Sequence, residues 1–189
     1  DYTASTDKKS IINVTNHAYF NLRGEGNGHI FDHILTLKAS SFTPFNEFLI
    51  PTGEIKSVKG TPFDFTTPRT FGERIGENYE KAVFRGYDHN YVLDNREKVD
   101  AMVYDPVSGR MLEMMTDQPG MQLYTGNGLM WLKPAGTGGK QSGSRSGFCL
   151  ESQHFPDSPN QPGFPSTTIN PGEKFKSRTI YRFSVKKDI

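Results

Sequence analysis

Along Asn13-Val14-Thr15-Asn16-His17-Ala18-Tyr19-Phe20-Asn21-Leu22 the side chains alternate in character. Read with strand periodicity, Val14, Ala18, Phe20 and Leu22 share one face, while Asn13, Thr15, His17, Tyr19 and Asn21 share the other. The first face can enter a core. The second is a row of amides, hydroxyls and one imidazole, groups that each donate or accept hydrogen bonds and suit a neutral polyhydroxylated ligand. Short apolar runs recur downstream, and the pattern predicts strands over residues 11–22, 32–39, 87–93, 100–104, 110–116, 122–126, 147–153 and 176–185. Asp105-Pro106-Val107-Ser108-Gly109 joins two of them as a hairpin, and Pro171-Gly172 turns the chain into the last. Long helical periodicity is missing, and only residues 71–84 offer a short helix. Many short strands with Gly and Pro turns predict an all-β, antiparallel β-sandwich. Residues 134–146 read as a polar loop. Residues 154–165, with Pro156, Pro159, Pro162 and Pro165, read as an ordered extended loop over one end of the sandwich.

Length and charge narrow the partners. A chain of 189 residues is one domain, long enough to bury roughly 70% of its unfolded surface without a disulfide or metal staple. Its 22 basic and 21 acidic residues leave a formal charge of +1, which calls for neither nucleic acid nor an anionic membrane. No apolar stretch approaches the roughly 20 residues of a membrane span. The only cysteine, Cys149, lies in the apolar context Gly-Phe-Cys-Leu and reads as a packing residue. No signal peptide is visible, and a cytoplasmic protein is expected. The chain opens at Asp1 rather than Met, which reads as a processed, truncated or cut start. Asn13-Val14-Thr15 matches a glycosylation sequon, discounted because it lies inside an expected strand.

Two groups carry candidate proton chemistry. Glu151 closes the strand Gly147-Phe148-Cys149-Leu150-Glu151, sharing a face with Cys149 while Phe148 and Leu150 take the other. It is either a solvated strand-end carboxylate or a partly desolvated general base at the mouth of the sandwich. Burial would lift such a carboxyl toward the range where a base works near neutral pH. His17 is either a structural histidine or, in its polar row, a proton donor, since imidazoles ordinarily titrate near 6.5. Tyr87-Asp88-His89-Asn90-Tyr91 sets hydrogen-bonding groups between aromatic rings, and Asp88 could grip sugar hydroxyls or merely mark a strand-entry turn. In Met121-Gln122-Leu123-Tyr124-Thr125-Gly126-Asn127, Gln122, Tyr124 and Gly126 fall on one face. Trp131 could stack on a sugar ring or fill core.

Other motifs fail. His29 and His33 have zinc-like i, i+4 spacing, but Gly28 and the strand-like Ile34-Leu35-Thr36-Leu37 argue against the helix that would bring them together. Gly138-Gly139-Lys140 ends like a phosphate loop, yet Pro134 and Gln141 occupy its required Gly and Ser/Thr positions. No nucleophile elbow is present.

Five blocks in one order carry a family resemblance. They are Asn16-His17-Ala18-Tyr19-Phe20-Asn21-Leu22, Ile50-Pro51-Thr52-Gly53-Glu54, Tyr87-Asp88-His89-Asn90, the run from Gln118 to Asn127, and Gly147-Phe148-Cys149-Leu150-Glu151-Ser152-Gln153. Asn160-Gln161-Pro162 and Pro171-Gly172-Glu173 extend the match. The sequence resembles the galactose mutarotases, or aldose 1-epimerases, over essentially its whole length. The resemblance implies a mutarotase-type β-sandwich that interconverts the α and β anomers of free aldohexoses, with no cofactor and no metal. It implies Glu151 as the general base on the anomeric hydroxyl, His17 as the general acid on the ring oxygen, and Asp88 and Gln122 as sugar-binding positions. One carboxylate and one imidazole fit ring opening better than glycoside hydrolysis, which uses two carboxylates. A non-catalytic carbohydrate-binding sandwich and a hexose-phosphate epimerase-like relative are the alternatives; the second would want arginines clustered at the pocket, and Arg145 alone is near. The match corresponds to about the C-terminal half of a family member. The family's N-terminal half carries an Arg and a second His that line the sugar pocket, and neither block occurs here. The chain is therefore expected to be the C-terminal part of a single sandwich whose N-terminal half stays associated.

Overall fold

The computed structural model describes residues 1–77, 86–94, 98–129, 139–140 and 142–186. Among these residues fourteen strands follow in chain order: β1 (Tyr2–Ser5), β2 (Ser10–Ile11), β3 (Ile34–Leu37), β4 (Ser41–Thr43), β5 (Lys56–Ser57), β6 (Arg69–Thr70) and β7 (Asp88–Val92), then β8 (Ala101–Tyr104), β9 (Arg110–Thr116), β10 (Gly120–Tyr124), β11 (Cys149–Gln153), β12 (Thr168–Ile169), β13 (Lys174–Ser177) and β14 (Thr179–Val185). A 3₁₀ turn covers Ser158–Asn160, and no α-helix occurs among the described residues. Two five-stranded antiparallel sheets, ordered β11-β10-β7-β4-β5 and β14-β9-β8-β3-β6, form the body, and β1-β13 and β12-β2 make two small ribbons.

The core follows from strand alternation. Leu35, Leu37, Ala101, Val103, Leu112 and Met114 come from one sheet, and Phe42, Tyr91, Met121, Leu123 and Leu150 from the other. Each of the larger aliphatic and Phe side chains withdrawn from water contributes about 1.5–3 kcal/mol. The outer face of the β11-containing sheet is thereby left to the alternate, polar positions, and those build the site.

The hairpin between β8 and β9 forms as its turn residues imply. Asp105 N–H donates to the Arg110 carbonyl and Gly109, at φ 70°, closes the turn with a bond to the Asp105 carbonyl. The expected last strand is two strands. β13 pairs with β1 and β14 with β9, and at the break the Arg178 N–H donates to the Asp117 carboxylate. Residues 71–77 are turns rather than helix, and 78–84 lie outside the described residues, as do Trp131 and residues 134–138 and 141 of the expected 134–146 loop.

The strand expected over residues 11–22 is a correction. Only Ser10–Ile11 and an isolated bridge at Phe20 are ladder structure. The asparagines of this segment bond backbone instead. Asn13 exchanges two bonds with His154, Asn16 Oδ1 accepts from Ala18 N–H, and Asn21 donates to Gly28 and Ser146 carbonyls while accepting from Arg23 N–H. Side chains that satisfy the backbone locally compete with a ladder, so the segment runs as an irregular strap. Of the row, His17 and Tyr19 alone reach the site described below.

Gly120 shows how tightly that outer face is packed. A Cβ there would lie 2.7 Å from Asn90 Oδ1 and 2.9 Å from the Phe155 ring. Gly120→Ala is expected to cost about 1–3 kcal/mol of stability. Urea unfolding checks this, and an unchanged midpoint would show that the Asn90 side chain yields freely.

Candidate active site

The register of three strands assembles the site. Gln122 on β10 sits opposite Glu151 on β11 and opposite Asn90 on β7, and Asn90 faces Thr43 on β4. One step along the pleat, Tyr124 sits opposite Cys149 and Asp88. Cross-strand partners share a face, so Glu151, Gln122, Asn90 and Thr43 form one polar row, and Cys149, Tyr124 and Asp88 the next. Glu151 therefore lies in the middle of β11 on the outer sheet face, rather than at a strand end in the mouth of the sandwich. The strand continues to Gln153 because β10 pairs with it throughout.

Hydrogen bonds fix the rows. Gln122 Nε2 donates to Asp88 Oδ1 at 2.7 Å, and Gln153 Nε2 donates to Asn90 Oδ1 at 3.2 Å and to Gln122 Oε1 at 3.4 Å. Asn90 Nδ2 donates to Thr43 Oγ1 at 3.3 Å. A cleft opens over Asp88, Asn90, Gln122 and Thr43, walled by Phe45, Leu49, Pro51 and Pro156. A larger cavity between the two ribbons, bordered by Ile12, Thr167 and Phe175, contains none of the four expected site residues.

His17 arrives from the strap. Phe20 and Phe148 exchange backbone bonds in both directions, at 2.8 and 2.9 Å, which sets the strap beside β11. Further along, His33 Nε2 accepts from Leu22 N–H, and Ser108 and Arg110 of the hairpin donate to the Leu22 carbonyl. So anchored, His17 Nε2 lies 3.4 Å from Glu151 Oε1, and Nδ1 lies 3.4 Å from Cys149 Sγ. The imidazole side chain is 52% exposed and the Glu151 side chain 8%. The rings of Tyr19 and Tyr124 flank the imidazole at 5.1 and 6.1 Å.

Burial sorts these groups by what they can do. Desolvation lifts the Glu151 carboxyl from about 4.5 to about 7; His17 opposes the rise and Asp88 adds to it. Burial also raises Asp88, with the Gln122 bond pulling it back. Burial pushes Tyr19 up to about 12, raises Tyr124, and holds Cys149 firmly as a thiol. The phenols and the thiol thus stay protonated near neutrality, while Glu151 changes charge there. A carboxyl poised near 7 beside an imidazole can take one proton and supply another.

All four expected residues, Glu151, His17, Asp88 and Gln122, converge on this face. Thr43 and Gln153 join them unforeseen. Gln153 carries a readable signal, two residues beyond Glu151 on the same strand face; Thr43 enters through a pairing of β4 with β7 that spans 47 residues. Cys149, expected to pack, is buried but turns its sulfur toward His17.

Fold and site together define an antiparallel β-sandwich with a histidine–carboxylate pair on the outer face of one sheet. The chain belongs to the aldose 1-epimerase family, whose sequence model matches residues 1–182. It is 43% identical to the galactose mutarotase of Bos taurus over 187 residues, covering 98% of this chain and 53% of that protein. It is 35% identical to the aldose 1-epimerase of Escherichia coli K12, covering 96% of this chain and 53% of the relative. Among solved structures, the aldose epimerase homologue from C. elegans superposes with a TM-score of 0.85 at 25% identity, over 98% of this chain and 55% of the other. Galactose 1-epimerase from Lactobacillus acidophilus gives 0.77 at 27% identity, over 98% and 52%. The chain spans about half the length of the curated relatives it matches. No helix among the described residues is long and apolar enough to cross a membrane.

Proposed function

We propose that this protein interconverts the α and β anomers of free aldohexoses such as galactose and glucose. The observation that carries this reading is the placement of His17 Nε2 3.4 Å from the Glu151 carboxylate, whose pKa burial sets at about 7. Glu151 takes the proton of the anomeric hydroxyl as His17 delivers one to the ring oxygen. The C1–O5 bond breaks, C1 becomes an aldehyde, and rotation about C1–C2 exposes either face. Reclosure runs both transfers backwards and restores the pair. Asp88, oriented by Gln122, accepts hydrogen bonds from sugar hydroxyls, and the Gln122 amide contributes its own polar atoms. Positioned acid–base groups of this kind contribute roughly 10²–10⁴-fold each.

The chain is the C-terminal part of one sandwich, and the remaining half of a relative-length polypeptide completes its pocket. The 53% coverage of the relatives supports that reading. So do the exposed apolar side chains of Ile180, Phe183 and Val185 on the edge strand β14.

A pH–rate profile tests the roles. Glu151 acts as base only when deprotonated, so kcat/KM for anomer exchange should rise about tenfold per pH unit on the acid side of pH about 7. Exchange NMR between the anomeric protons reads the rate. A profile that is flat across that range would remove Glu151 as the base.

A further inference from the structure

Sulfur, nitrogen and carboxylate oxygen meet at one point of this site, and proton transfer uses only two of them. One ligand atom each from His17, Cys149 and Glu151 lies within 4.8 Å of the others, the one such cluster of His, Cys and acidic groups among the described residues. We propose that these three side chains form an inhibitory site for one divalent cation of the zinc class, which seizes both members of the acid–base pair at once.

The three ligand atoms, within 4.8 Å of one another, lie a small contraction away from metal-site spacing. Zinc bonds of about 2.3 Å to sulfur and about 2.0–2.1 Å to nitrogen and oxygen place tetrahedral ligand atoms roughly 3.4–3.6 Å apart. Cys149 Sγ lies 3.4 Å from Nδ1 of His17, and Nε2 of the same ring lies 3.4 Å from Glu151 Oε1. A rotation of the half-exposed imidazole lets one nitrogen serve the metal while thiolate and carboxylate complete a three-sided cradle. Cys149 and Glu151 are alternate residues of β11, and the β10 ladder holds both, so two of the three ligands are fixed in advance. The exposed His17 side leaves a fourth position for water.

The donor set selects the cation. A thiolate and an imidazole favour Zn²⁺ or Co²⁺ over Mg²⁺ and Ca²⁺, which take all-oxygen shells. Charge balances as well, since one M²⁺ neutralises a thiolate and a carboxylate in a desolvated setting. Binding expels the protons those groups carry. Occupancy leaves Glu151 without a free base and His17 without a proton to give.

The inhibitory part of this proposal rests on the anomerase reading, whereas cation binding does not. The test is titration of the protein with Co²⁺ at mildly alkaline pH, followed by Zn²⁺ calorimetry and anomer exchange with and without Zn²⁺. A 1:1 sulfur-to-cobalt charge-transfer band in the near ultraviolet is expected, bleached by Zn²⁺. Cys149→Ser, folded by circular dichroism, should abolish the band, weaken Zn²⁺ by at least about tenfold and exchange anomers in the presence of Zn²⁺ at its metal-free rate. His17→Gln keeps the only cysteine and should also weaken Zn²⁺ by at least about tenfold. No band at saturating Co²⁺, or Zn²⁺ affinity equal in all three proteins, overturns the site. Zn²⁺ binding in a protein that never exchanges anomers, alone or with the N-terminal half of a mutarotase supplied, would sink the anomerase reading and leave the cation site standing.

Discussion

Glu151→Gln is expected to slow the proposed anomer exchange by about 10²–10⁴-fold and to leave the protein more stable than its parent at mildly alkaline pH. The amide keeps the size and one acceptor oxygen of the carboxylate, so the Gln122–Asp88 pair beside it stays in place. What it loses is the ability to take a proton from the anomeric hydroxyl. The stability half follows from the direction of the shift. In the folded protein the carboxyl sits at about 7 against about 4.5 when unfolded, so the native state holds that proton more tightly. Its contribution is complete below about 4.5 and is lost as pH rises through about 7. Gln carries no charge to desolvate, and the variant escapes that loss, worth on the order of 1–3 kcal/mol. Urea unfolding at acidic and alkaline pH, run beside a rate assay, checks both halves. A variant that is inactive and uniformly destabilised would mean that the substitution broke the fold rather than removed a base.

Phe148→Ala costs about 3–5 kcal/mol and lowers activity with it. The ring is fully buried, at 5.3 Å from Phe71, 5.9 Å from Phe20 and 6.1 Å from His33. It therefore joins the core to the strap that carries His17. Removing it leaves a cavity and loosens the packing under the Phe20 bridge, so the imidazole loses its fixed distance from Glu151. The denaturant midpoint measures the first effect, and kcat, taken where the variant is still folded, measures the second. A loss below about 1 kcal/mol would show that Phe20 and Phe71 close over the gap.

Local pattern was legible in the sequence and long-range pairing was not. β9 is found at residues 110–116 as expected, and the hairpin before it follows from Pro106 and Gly109. Alternation alone put Cys149 with Glu151 and Gln122 with Tyr124. It could not say that β10 lies between β11 and β7, which is what brings Asp88 beside Gln122 and Asn90 beside Gln153. Those neighbours are far apart in sequence, and strand order is decided by which faces bury together. The two-residue strands β2, β5, β6 and β12 are too short to show a period at all. Residues 13–22 misled for a chemical reason: their alternation is real, but three asparagines spend their amides on backbone groups. The sequence resemblance pointed to His17 even so, because a block of identities does not depend on whether its backbone is a strand or a strap.

The central claim is that Glu151 and His17 open and close an aldose ring. Polarimetry of freshly dissolved α-galactose tests it most directly, with the protein added alone and with the N-terminal half of a mutarotase supplied. Faster decay to the equilibrium rotation, abolished by Glu151→Gln, is the predicted result. Decay at the spontaneous rate under both conditions would contradict it.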